Sequence, residues 1–140
     1  MVKLTAEELT EYLDDVFPQV RGEFTIEEVA DMRIRTRLNV GERHLRPGGT
    51  VSGPSIFALA DVSVYLAVLA MIGREALAVT TNCSIDFMRK PVADADLIAE
   101  CRLLKMGRVL AVGEVLIFSA GMDQPVARAS MTYSIPPKAG

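Results

Sequence analysis

The sequence predicts an α+β domain in which a curled antiparallel sheet of about five or six strands wraps one long central helix. Three observations carry that expectation. The segment Pro54 to Ile72 (PSIFALADVSVYLAVLAMI) is almost wholly apolar, so as a helix it needs cover on nearly every side. Around it, apolar and polar residues alternate one for one, the repeat of strands with a single buried face. The chain has 140 residues, 50% of them apolar, enough for one core and for a single domain over its whole length.

Taken in order, residues 1–20 open with Thr5-Ala6-Glu7-Glu8, a capping box, and place Leu9, Tyr12, Leu13 and Val16 on one helical stripe before Pro18 stops it. From Phe24 the period changes. Phe24 to Val29 reads as a short strand, although the Thr25 to Glu28 spacing also permits a helical turn. Ile34, Thr36, Leu38 and Val40 then alternate with Arg33, Arg35, Arg37 and Asn39, a clearer strand. Gly41 to Gly53, rich in Gly, Pro and Arg, is a loop ending where Pro54 suits a first helical position. After the central helix come strand-like stretches near Ala78 to Met88, Ala95 to Met106, Val109 to Ala120 and Pro125 to Ile135, and Pro136-Pro137 closes the fold. This shape is the hotdog fold. It leaves edge strands open, and edges of this length are commonly hidden by a second copy, so a homodimer, and a dimer of dimers beyond it, is expected.

Composition removes several functions. A net charge of −3 offers no basic surface for nucleic acid. One histidine and two cysteines, Cys83 and Cys101, outside any CxxC pair, provide neither a metal cluster nor a disulfide framework. A reduced, cytoplasmic protein without metal or cofactor is expected, and Met1 to Asp15, acidic and lacking an apolar run, predicts no signal peptide. The central helix is long enough to cross a bilayer, but Asp61 near its middle costs roughly 2.5 to 3.5 kcal/mol there. Burial within the protein is the expected arrangement.

Asp61 is the only charge in that helix. A buried carboxylate persists when it is paired, hydrogen-bonded or chemically useful, so it is either a catalytic group or an acceptor at a subunit interface. Before the helix, the Gly53 N–H lies at the positive end of the dipole, suited to a carbonyl or an oxyanion; a turn glycine explains the same residue. Ser52 is expected to cap the helix. Eight residues separate Gly53 from Asp61, roughly 12 Å along the axis. One carbonyl cannot reach both within one helix, so joint catalysis requires two subunits. Arg89, Lys90 and Arg108 at strand ends can meet anionic phosphates or simply face solvent. Asn82 and Ser84, on the face opposite Val79, Thr81, Cys83, Ile85 and Phe87, can line a channel or face water. His44, in its Gly/Arg/Pro loop, is expected at the surface.

The stretches GTVSGPSIFALAD, VTTNCSIDFMRKPV, MGRVLAVGEVLIF and PVARASMTYSI together resemble the acyl-CoA thioesterases of the hotdog superfamily, of the phenylacetate-pathway (PaaI) type and close to one branch of 4-hydroxybenzoyl-CoA thioesterases. The resemblance spans Phe24 to Ile135. It implies that Gly53 polarises the thioester carbonyl and that Asp61 attacks it or activates water. It also implies that Ser52, Pro54, Tyr65, Asn82, Ser84, Arg89, Lys90 and Arg108 lie near an acyl-CoA carrying an aromatic or medium-chain acyl group. Two positions depart from the family pattern: Ser52 replaces a histidine and Pro54 a second glycine, so that imidazole is absent and Pro54 offers no N–H. These departures keep a second reading open, an acyl-CoA-binding module without turnover. A dehydratase would want an Asp/His pair on the acyl chain, which one loop histidine does not supply.

Overall fold

The computed structural model describes residues 1–137. Helix α1 (Ala6–Val16) begins at Thr5, whose hydroxyl accepts the Glu8 N–H while Glu8 returns the bond to the Thr5 N–H. It ends at Phe17. Strands β1 (Phe24–Ala30) and β2 (Arg33–Leu38) form a hairpin, so Phe24 to Val29 is strand rather than helical turn. Helix α2 (Gly53–Ile72) follows, then β3 (Val79–Phe87), β4 (Leu97–Met106), β5 (Leu110–Ser119) and β6 (Pro125–Ser134). Every pairing is antiparallel, in the order β1-β2-β4-β5-β6-β3. The sheet curls around α2, and β1 and β3 are its edges.

Burial on α2 follows its sequence closely. Leu59, Val64, Leu66, Val68 and Leu69 are fully shielded, and the helix packs chiefly on β4, with β2 and β5 beside it. Gly113 in β5 lets it come close: a Cβ there would stand 3.2 Å from both Val64 methyls. The helix is long and apolar enough to cross a membrane, but most of it lies inside the sheet as the core of the fold. Only one stripe stays open. Pro54, Phe57, Ala58, Asp61 and Tyr65, spaced three or four residues apart, share the face the sheet does not cover.

Two expectations need correction. His44 is buried, with 5% of its surface exposed, because its short 3-10 turn folds back under the loop. Its Nδ1 accepts the Gly41 N–H at 2.8 Å, which puts the ring proton on Nε2, donated to Glu23 at 2.8 Å. The simple alternation assumed for β3 also fails. A bulge between Thr80 and Asn82 inserts one residue against β6, so Thr80, rather than Thr81, shares the inner face with Cys83 and Ile85.

Candidate active site

The β3 bulge decides what surrounds Asp61. It turns the Thr80 hydroxyl toward α2, where it donates to Asp61 Oδ1. Tyr133, paired with Thr80 from β6, reaches the same oxygen with its phenol at 2.8 Å and shares that proton with the Asp61 backbone carbonyl at 3.0 Å. One carboxylate oxygen is thus held from two strands. The other, Oδ2, accepts no hydrogen bond among the described residues. Tyr133 is 3% exposed, and burial, followed by the charge of Asp61, pushes its phenol well above the ordinary tyrosine range. It therefore stays a donor.

Asp61 opens on a groove of about 290 Å³ walled by Val16, Phe17, Val62, Tyr65, Ala76, Ala78, Val79, Thr80 and Tyr133. Tyr65 gives that groove its ring face only, because its hydroxyl is committed to the Ala76 carbonyl at 3.0 Å. Burial, then Tyr12 and Glu75, pushes the Tyr65 phenol up to about 12. Ala76 in turn donates its N–H to Tyr12 of α1 at 3.1 Å, so tyrosines from two helices pin the groove wall. Cys83, beside the site, has its thiol pushed up by burial and then by Asp61.

Gly53 lies in a different depression. Ser52 caps α2 by accepting the Ser55 N–H, and its own N–H is taken by the carbonyl of buried His44 at 2.8 Å. The Gly53 N–H, at the first helical position, finds no acceptor among the described residues. It faces a cavity of about 540 Å³ whose rim carries Arg46, Arg89 and Lys90 and whose wall is Phe87 and Met88. This cavity and the Asp61 groove share no lining residue.

The remaining candidates are dispersed. Arg108 borders a third cavity of about 590 Å³ at the Ile72 end of α2, the opposite end from Gly53. Arg89 and Arg108 therefore cannot hold one headgroup within one chain. Ser84 lines a shallow depression on the outer sheet face with Asp86, Glu114 and Arg128, and Asn82 is exposed on the same side of β3. Pro54 sits exposed on the open stripe of α2. Thr80, Tyr133 and Arg46 were not anticipated. The first two depend on a bulge and on a contact spanning 72 residues, neither of which local spacing encodes. Arg46 stood in the loop already read as rich in Gly, Pro and Arg, and its charge was the available signal. Among the described residues no group of three or more His, Cys, Asp and Glu could hold a metal ion.

A six-stranded antiparallel sheet curled around one apolar helix, with a single anchored carboxylate on that helix, defines a hotdog domain. The thioesterase superfamily model matches residues 48–126, a stretch that includes Gly53, Asp61 and Thr80. The chain belongs to the thioesterase superfamily and is a thioester hydrolase. Among solved structures it is similar to a candidate thioesterase from Silicibacter sp. TM1040, 64% identical over 98% of this chain and 95% of that one, with a TM-score of 0.92. It is also similar to a mutant of the phenylacetic acid degradation protein PaaI from Thermus thermophilus, 26% identical over 85% of this chain and 99% of that one, TM-score 0.73. A hypothetical thioesterase from Streptococcus pneumoniae, solved with coenzyme A, shares the fold at 21% identity, covering 91% of this chain and 99% of its own, TM-score 0.76. No curated protein matches the chain.

Proposed function

We propose that the protein hydrolyses the thioester bond of an aromatic or medium-chain acyl-coenzyme A in the cytoplasm, at sites each assembled from two subunits. The observation that carries this reading is Asp61: one oxygen anchored by Thr80 and Tyr133, the other free of hydrogen bonds among the described residues, on a side chain that lines an otherwise uncharged groove. Gly53 polarises the thioester carbonyl through its N–H and stabilises the oxyanion that develops. Asp61 of the partner subunit supplies the base. Its Oδ2 takes a proton from water as the water oxygen bonds to the carbonyl carbon; the C–S bond then breaks and the proton passes to the departing coenzyme A thiolate. Direct attack by Oδ2, giving an anhydride that water opens, is the other route the same geometry allows.

A two-fold that joins Asp61 to the partner's Gly53 runs the two α2 helices antiparallel. It also carries Arg108 of one subunit toward Arg89 and Lys90 of the other, so the three cations flank one ligand only between subunits. Arg46, Arg89 and Lys90 at the Gly53 cavity suit the phosphates of coenzyme A, the ligand held by the Streptococcus pneumoniae relative. Ser52 contributes by fixing the start of α2, Pro54 by shaping the open stripe and Tyr65 by its ring; Asn82 and Ser84 are assigned the outer margin. The open stripe with Phe57 and the unpaired β3 edge favour a homodimer, with a dimer of dimers formed on it. The test is a screen of aromatic, short and long acyl-CoAs, read by free thiol. Release from an aromatic or medium-chain ester supports the reading; release confined to other acyl-CoAs would overturn the substrate assignment.

A further inference from the structure

We infer that the groove beside Asp61 selects the acyl group, and that Phe17, at the end of α1, is the wall that sets its size. This rests on the thioesterase reading above. Apart from Asp61, every residue of this chain that lines the groove is uncharged, so a carboxylated acyl group would meet the Asp61 charge with no cation of the same groove wall to offset it. Three rings, from Phe17, Tyr65 and Tyr133, border it, and Tyr65 and Tyr133 stand 6.1 Å apart with their hydroxyls turned to protein partners. What remains for a ligand is uncharged surface, part aromatic ring and aliphatic side chain and part polar, apart from the free oxygen of Asp61. The volume of about 290 Å³ is about twice the roughly 150 Å³ apolar cavity that accommodates benzene. An uncharged acyl group of one ring, such as an arylacetyl group, fits it.

Phe17 differs from the other walls. Tyr65 and Tyr133 are tied by hydrogen bonds, Val62 is buried in α2, and Val79, though exposed, is a short side chain fixed on β3 by pairing with Ser134, whereas Phe17 is a large ring, 39% exposed, at the junction of α1 with the following 3-10 turn. Its ring closes the groove without holding up the core. A substitution there changes the space offered to the acyl group while the anchored carboxylate stays in place.

The experiment measures kcat/KM for decanoyl-CoA and phenylacetyl-CoA on the wild type, Phe17→Ala and Phe17→Trp. Opening the wall raises the decanoyl to phenylacetyl ratio by about tenfold in Phe17→Ala, and closing it lowers the ratio in Phe17→Trp. A ratio within about twofold of wild type in both folded variants overturns the assignment. If the wild type hydrolyses neither ester, the aromatic or medium-chain substrate proposed above falls instead. The wall is then judged by calorimetric Kd values for the two non-hydrolysable thioether analogues, with the same shift expected and either no shift or no binding overturning it.

Discussion

Tyr133 on β6 donates its phenol to Oδ1 of Asp61 on α2 at 2.8 Å, so the last strand of the sheet sets the rotamer of the one charge in the central helix. Removing that hydroxyl alone tests its worth. In Tyr133→Phe the ring stays packed, but the carboxylate loses a hydrogen bond of the charged kind, about 1.5 to 3 kcal/mol. Expressed on the transition state, this predicts a fall in kcat of about tenfold or more with KM little changed. A shift in KM alone would mean that Tyr133 serves the groove and not the carboxylate.

Asp61→Asn removes the charge and keeps the acceptor. Thr80 and Tyr133 still find an oxygen on the amide, so the fold should hold, while the base or nucleophile is gone. Turnover should fall by about 10²-fold or more. A folded Asp61→Asn protein with wild-type turnover would return Asp61 to a structural role, anchoring β3 and β6 to α2.

How much of this was readable follows from the range of each interaction. Alternation around Ile34 and Leu38 identified β2, and the apolar run from Pro54 identified α2, because both are patterns within one element. Ser52 as a cap and Asp61 as the odd charge were equally local. The bulge at Thr81 was not, since only pairing with β6 reveals that one residue is extra, and with it went the role of Thr80. His44 misled for the same reason: its loop composition suggests solvent, but Glu23 and Gly41 take both ring nitrogens inside. Arg89 and Arg108 looked alike as strand-end cations until the fold set them at opposite ends of α2.

Stability should decline at alkaline pH for a reason specific to the core. Burial pushes the Cys101 thiol from 9.0 up to about 12. Between those values the folded chain keeps a proton that the unfolded chain has lost, so unfolding releases it and stability falls as pH rises. Tyr65, raised from 10.0 to about 12, and Tyr133 act in the same direction above pH 10. The urea midpoint should be insensitive to these groups below about pH 9 and drop between about 9 and 11. Cys101→Ala, at a general cost of about 1 kcal/mol, should make the decline between about pH 9 and 10 shallower. An unaltered slope there would remove Cys101 as its source.

The division of the site between subunits is open to a complementation experiment. Gly53 and Asp61 lie on one helix, roughly 12 Å apart along its axis, in depressions with no residue in common. If each site takes Gly53 from one subunit and Asp61 from the other, Gly53→Pro and Asp61→Asn homodimers should both be inactive, the first because the oxyanion donor is lost. The substitution has room: a Cβ at Gly53 would meet only the Phe87 ring, at 3.6 Å, and Ser52 at φ −74°, ψ 155° already has the extended backbone a following proline requires. Because Pro54 also restricts the residue before it, Gly53→Leu, which fills the cavity against Phe87, serves as a second lesion in the same half-site. Refolded together in equal amounts, the two inactive proteins form mixed dimers in which one site collects both lesions and the other none. Random pairing makes about half of the dimers mixed, so activity per chain should recover to about one quarter of wild type. No recovery, with mixed dimers shown by mass and both variants shown to be folded, would deny the shared site. A stable monomer in light scattering at micromolar concentration would deny it sooner, since the Gly53 N–H would then have no carboxylate within reach.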